Sequence, residues 1–232
     1  MTDDERARLR AAYMPPVPLR AVLASPNLDV LDCLLANGLP QRLGLALLNP
    51  DGPLSEADER VLDLLRARPD VPLLLLHDAS VEGCLLPALL PERWDLAPSQ
   101  RVLDLGLRPR QAMRAHRFTE YTIRGRWMKT LILPRTYDPA PSPQMLERLE
   151  QEAQRQQRVR LSEDELAWLR EGCNSSVLFM PPAWMVTLVT RAVERYAPAR
   201  GVDSLANAQA RAIGYMTWPM LRAGTDGQNV IG

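Results

Sequence analysis

The chain has 232 residues, and its 28 Lys+Arg balance its 28 Asp+Glu, so the formal charge is zero. Charged residues make up 24% and the apolar set 46%, which excludes a disordered chain, a polybasic histone-like protein and an acidic tail protein. The length suits one large domain, or one domain with a smaller appendage.

Three cysteines, Cys33, Cys84 and Cys173, stand far apart with no CxxC pair; their odd number argues against a disulfide framework. His77 and His116 are the two histidines, too few for an ordinary zinc site. The opening residues are charged and lack an apolar signal core. The uncharged run 173–190 carries Asn174, Ser175, Ser176 and Pro181-Pro182, a poor membrane span. These features predict a cytoplasmic, reducing setting with no membrane partner.

Along the chain, strand-like and helix-like segments alternate. Leu19–Ala24 is a short apolar run, and Asn27 is placed to cap a helix bearing Leu28, Leu31, Leu34 and Leu35. Asn37-Gly38 stops that helix. Leu43–Leu48 is the next strand, broken by the turn sequence Asn49-Pro50-Asp51-Gly52. Ser55 with Asp58 forms a capping box before Val61, Leu62, Leu64 and Leu65. Val71–Leu76 is a third strand, Val81–Leu90 a helix that Pro87 is expected to kink or end, and Arg101–Leu107 a fourth strand. Strands apolar at every position are buried on both faces, as in parallel sheets coated by helices.

The second half changes character. Phe118–Leu133 has the β-branched and aromatic residues of one or two strands, and a Pro-rich link follows. Helices are expected from Ser142 to about Arg158, from Ser162 (with Glu165 completing a capping box), over Pro182–Ala197, and from Asp203 to near Met216. The tail from Gly224 reads as loose. The expected architecture is α/β, a mostly parallel sheet with flanking helices followed by a helical C-terminal region. It divides into an α/β domain over 1–133 and a helical region over 134–232, packed on that domain or on a partner.

In open parallel sheets, ligands bind beyond the carboxyl ends of the strands. Asn49 and Asp51 follow the second strand, His77, Asp78 and Ser80 follow the third, and Asp104 lies in or beyond the fourth. Asn49, His77, Asp78 and Ser80 are therefore the candidate ligand-binding residues. Asp78, Asp51 and Asp104 are the candidate carboxylates should the edge hold Mg²⁺ for phosphoryl chemistry. Turn and cap chemistry is the competing reading for Asn49, Asp51, Asp78 and Ser80. No GxGxxG, GxxxxGK[ST] or GxSxG motif is present. A Cys84 nucleophile beside His77 competes with a Cys84 that simply faces inward.

The stretch VPLLLLHDASVEGCLL resembles the second metal-binding segment of a TOPRIM domain, and LDLGLRPRQA resembles the Leu-Gly-x-x-Pro segment of topoisomerase VI A subunit-like versions. The resemblance spans residues 43–116 and implies a Rossmann-like fold. Asp78 matches the first Asp of the family's Asp-x-Asp and Gly83 its glycine. Asn49 stands where the family has Glu, and Ser80 where it has the second Asp. Two of three liganding carboxylates are thus replaced by neutral groups, which implies a degenerate copy retained for binding or architecture, without metal or other cofactor.

The 28 basic residues include a single Lys, Lys129. Arg108, Arg110, Arg114, Arg117, Arg124, Arg126, Lys129 and Arg135 lie in one stretch against Glu120 alone, interleaved with Phe118, Tyr121 and Trp127. Such a stretch suits phosphates and stacked bases, or an acidic protein surface. Three functions follow: a non-catalytic binding or scaffold protein with a protein or nucleic-acid partner, a Mg²⁺-dependent phosphoesterase or nuclease, and a nucleotide-sensing domain.

Overall fold

The computed structural model describes residues 12–16, 18–117, 136–137, 141–155 and 158–198, with Asp4 and Arg8. The expectations for Phe118–Leu133 and for residues beyond 198 lie outside the described residues.

The apolar runs form β1 (Ala21–Ala24), β2 (Leu45–Leu48), β3 (Leu73–Leu75) and β4 (Val102–Asp104). They make one all-parallel sheet in the order β2-β1-β3-β4. The first three strands are buried at every position, because helices cover both faces. Ala21, Leu23, Leu45, Leu47, Leu74 and Leu76 pack on α1 (Leu28–Ala36), α2 (Leu39–Leu43) and α8 (Pro182–Tyr196). The alternate residues Val22, Ala24, Ala46, Leu48, Leu73 and Leu75 pack on α3 (Glu56–Ala67) and α4 (Val81–Arg93). Burying each of these leucines contributes about 1.5–3 kcal/mol. Right-handed crossovers require the split: the chain moves one way from β1 to β2 and the other way from β2 to β3 to β4. The β1/β3 boundary is therefore the topological switch point.

A third core lies outside the sheet. Ala79, Val81, Cys84, Leu85 and Ala88 meet Ala112 of α5 (Pro109–Arg117), Leu149 of α6 (Pro143–Arg155) and Leu166, Trp168 and Leu169 of α7 (Glu163–Arg170). The buried Glu165 serves two helices. Its Oε2 accepts the Ser162 N–H at 2.9 Å in the expected capping box, and its Oε1 accepts the Arg110 N–H at 3.2 Å near the start of α5. A short antiparallel ribbon joins β5 (Thr136–Tyr137) to β6 (Cys173–Asn174). At the amino ends of β1 and β4, Arg20 Nε donates to the Ala197 carbonyl at 3.0 Å, and the Arg101 guanidinium stands 4.7 Å over the Tyr196 ring. These contacts dock the carbonyl end of α8, where cations are favoured.

The expected Ser55–Asp58 and Ser162–Glu165 capping boxes and the Asn27 cap all form. Two details differ from the sequence reading. Leu43 ends α2 and does not open β2, because Gly44 takes the left-handed conformation (φ 63°) in which its N–H closes on Pro40. A Cβ at Gly44 would stand 2.8 Å from the Pro18 carbonyl oxygen, so the position tolerates no side chain. Pro87 neither ends nor divides α4, which runs on to Arg93 through Pro91. The helix is buried on several sides, and tertiary packing outweighs the lost amide bonds.

Candidate functional site

The third strand delivers His77 and Asp78 to the carboxyl edge, beside the switch point. His77 is 1% exposed. Its Nδ1 stands 2.8 Å from the Asp78 main-chain carbonyl, which only accepts, so Nδ1 donates. Its Nε2 stands 3.0 Å from Asp104 Oδ1 at the end of β4. Two glycines wall the ring. A Cβ at Gly106 would overlap the imidazole; a Cβ at Gly83 would overlap the Asp78 carbonyl oxygen and lie 2.8 Å from His77 Nδ1. Burial pushes the Asp104 carboxyl up, but the His77 hydrogen bond and charge, the Gly106 N–H and the Arg108 guanidinium outweigh it and hold it below the usual carboxylate range.

Asp78 turns toward the C-terminal half of the chain. Its Oδ1 accepts the Ser176 hydroxyl at 3.0 Å and the Val177 N–H at 2.6 Å, capping a single 3₁₀ turn, Val177–Phe179. One residue on, Ala79 and Ser175 exchange main-chain bonds of 2.9 and 3.1 Å. Val177 is fully buried in the same core as Leu23, Leu74, Leu76 and the α1 residues Val30, Leu31 and Leu34. The segment 175–179 thus lies across the switch point, between the end of β3 and the helix that follows β1. Among the described residues, the buried Ser175 hydroxyl has no hydrogen-bond partner.

The remaining candidates serve turns, caps and surface pairs. Asn49 accepts the Asp51 N–H at 2.9 Å in an Asx turn. Asp51 is exposed and lies 3.6 Å from Arg93. Ser80 accepts the Gly83 N–H at 3.0 Å and caps α4. The expected convergence of Asp51, Asp78 and Asp104 does not occur. β1 separates β2 from β3, a spacing of about 10 Å at roughly 4.8 Å per strand; Asp78 is committed to the 3₁₀ turn and Asp104 to His77. Among the described residues, no group of three His, Cys, Asp or Glu is placed to hold a metal ion. The Cys84–His77 pairing also fails to form. Burial pushes the Cys84 thiol up, nearby Asp104, Glu165 and Glu82 add to this and Arg108 opposes it, while both His77 nitrogens face other groups.

The sequence reading missed the His77–Asp104 bond and the role of residues 175–177. The first had a visible signal in the paired glycines; the second joins positions nearly a hundred residues apart and left none. The basic stretch divides as well. Arg108 is turned inward, 3.5 Å from Asp104, whereas Arg110 and Arg114 are exposed on α5. The Arg117 side chain, Arg124, Arg126 and Lys129 lie outside the described residues. Among the described residues no helix is long and apolar enough to cross a membrane.

Fold and site together define a doubly wound α/β protein whose strand-end crevice holds its own chain. No family model matches the sequence, and no curated protein matches it.

Proposed function

We propose that this chain is a non-catalytic binding or scaffold module, an accessory component of a larger assembly with a protein or nucleic-acid partner. The observation that carries the reading is the pair of hydrogen bonds that Asp78 accepts from the Ser176 hydroxyl and the Val177 N–H. It occupies the strand-end carboxylate with internal capping, at the edge where sheets of this kind hold ligands. Partner contacts are then left to the outer surface. The TOPRIM resemblance enters as a copy retained for architecture, since Asn49 and Ser80 do turn and cap work at the positions where the family places carboxylates. Three buried cysteines, none of them in a disulfide, suit a reducing, cytoplasmic setting.

The test is affinity isolation of the tagged full-length chain from its own cells at low salt, beside hydrolysis assays on the pure protein. A stoichiometric partner, retained by a folded Asp78→Asn variant, is the expected result. Recovery of the chain alone, or a Mg²⁺-dependent phosphoester hydrolysis that Asp78→Asn abolishes, overturns the reading.

A further inference from the structure

Among the described residues, five large apolar side chains are exposed: Met14, Leu28, Leu64, Phe179 and Trp184. Leu64 stands singly on α3 between the exposed Asp63 and Arg66, which is ordinary for a surface. Leu28, Phe179 and Trp184 share one end of the molecule. Leu28 opens α1 directly after β1, and Phe179 lies on the 3₁₀ turn that Asp78 caps at the end of β3. The carbonyl end of α8 docks at the amino ends of β1 and β4 through Arg20 and Arg101. That helix therefore runs back against the strands and brings Trp184, in its first turn, to the same carboxyl edge. α1, the 3₁₀ turn and α8 also pack on one core, through Leu31, Val177 and Met185.

This rim is uncharged. Residues 172–190 include no Asp, Glu, Lys or Arg, and Asp29, the charge next to Leu28, is half-buried. Nucleic acid or an acidic protein face finds no charge to pair with here. Two copies of the rim meet without repulsion, whereas a two-fold contact sets a charged patch against its own charge. The whole chain has zero formal charge, so no long-range field keeps two copies apart. The rim is also rigid. Ser176 Oγ accepts the Leu178 N–H at 3.2 Å inside the capped turn, and Pro181-Pro182 fix the entry to α8. Little ordering entropy is then lost on association.

We infer that Leu28, Phe179 and Trp184 form the centre of a two-fold interface with a second copy of this chain. The inference goes beyond the binding-module reading and does not rest on it. Trp184 is 55% exposed and Phe179 and Leu28 are 41% exposed, together on the order of 300 Å² of side chain. A two-fold contact that also covers the exposed Pro181, Ala183 and Thr187 of each copy removes on the order of 1,000 Å² in total, the lower end of specific interfaces. Trp and Phe are the side chains that anchor such contacts. An interface of this size makes a dimer with a Kd on the order of micromolar.

The experiment is sedimentation velocity of the full-length protein from about 1 to 300 μM, a span that brackets a dimer of that strength. The mass is expected to rise from 26.1 kDa toward twice that value. Because no charges meet, raising the salt from about 50 to 500 mM leaves the association unchanged or strengthens it. Phe179→Ser/Trp184→Ser is expected to stay monomeric throughout. Arg191→Ala, at an exposed position further along α8, dimerises as the parent does. Trp184→Asp and Trp184→Lys should each be monomeric alone and pair when mixed, the mark of a residue that meets its own copy. Thermal unfolding confirms that each variant is folded. A parent that stays at 26.1 kDa at every concentration overturns the inference, as does a dimer that survives Phe179→Ser/Trp184→Ser or dissociates with added salt. If the parent is monomeric and the double variant instead loses a co-isolated protein, the inference falls and the binding-module reading stands.

Discussion

The Asp78 carboxylate accepts the main-chain N–H of Val177 at 2.6 Å across 99 residues of sequence. This bond joins the end of the third strand to the turn that leads into the last described helix. Asp78→Ala leaves the buried Val177 N–H and the part-buried Ser176 hydroxyl without their acceptor. A loss of about 1.5–3 kcal/mol is expected, the range for hydrogen bonds to a charged group. Asp78→Asn keeps one oxygen at the same position and should lose less than half of that. Urea unfolding followed by tryptophan fluorescence reads both values. Equal losses in the two variants would show that the negative charge, rather than an acceptor atom, holds the turn.

The glycines beside His77 give a sharper test, because their two clashes have different partners. The three nearest atoms that a Cβ at Gly106 meets all belong to the imidazole, whereas Gly83→Ala collides with the Asp78 main chain as well as the ring. Each single substitution should destabilise by more than about 2 kcal/mol, as overpacking does. Replacing His77 by Ala opens the space at Gly106 but leaves the carbonyl at Gly83. The His77→Ala/Gly106→Ala pair should therefore be at least about 1 kcal/mol more stable than the sum of its single losses predicts, and the His77→Ala/Gly83→Ala pair close to additive. Thermal denaturation of the two cycles decides it; equal interaction energies would contradict the geometry.

The four strands were legible because Leu-rich runs of strand length stood between capped helical patterns. A continuous apolar run of strand length, bounded by turn and cap signals, points to burial on both faces and so to a parallel sheet. The strands came out shorter than expected, since Leu43 and Gly44 belong to a helix end and Leu76 lies past the ladder. At the site, local chemistry was readable: Asn49 and Ser80 do what turn and cap residues ordinarily do. What the sequence did not show was which strand-end groups meet across space. Asp104 bonds His77 and Asp78 bonds Val177, and both pairings are set by strand order and by the return of the C-terminal half, which no local pattern encodes.

The depressed Asp104 carboxyl has a consequence for acid stability. Its folded value lies below the ordinary one. The stabilisation is therefore fully present above the unfolded Asp value of about 3.9 and is lost as pH falls through the lower folded value. Asp104→Asn should flatten the stability–pH curve between about pH 4 and 2, the window below that unfolded value. Denaturation midpoints at several pH values check this. An acid limb as steep in the variant as in the parent would rule Asp104 out as a contributor.

Tyr13 makes the corresponding prediction at the alkaline end. Its hydroxyl oxygen accepts the outward N–H of Leu47 at 2.8 Å, covering part of the open edge of β2, where bare strands invite unwanted pairing. Burial above all, partly offset by that N–H and reinforced by the Asp58 charge, raises the phenol from 10.0 to about 12. Stability is then complete below pH 10.0 and declines as pH rises toward 12. Tyr13→Phe should remove that part of the decline, cost about 1 kcal/mol at neutral pH and speed amide exchange at Leu47. An unchanged Leu47 exchange rate would contradict the edge contact.

The most direct test of the account is hydrogen exchange at the Val177 amide, with and without millimolar Mg²⁺. If the strand-end carboxylate is committed to capping the chain's own turn, that amide is protected in the parent protein. It should exchange at least about tenfold faster in Asp78→Ala, roughly 1.4 kcal/mol or more of lost protection, and be indifferent to the cation. A Val177 amide that exchanges freely in the parent, or that Mg²⁺ deprotects by drawing Asp78 away, would contradict the central claim and return the edge to catalysis.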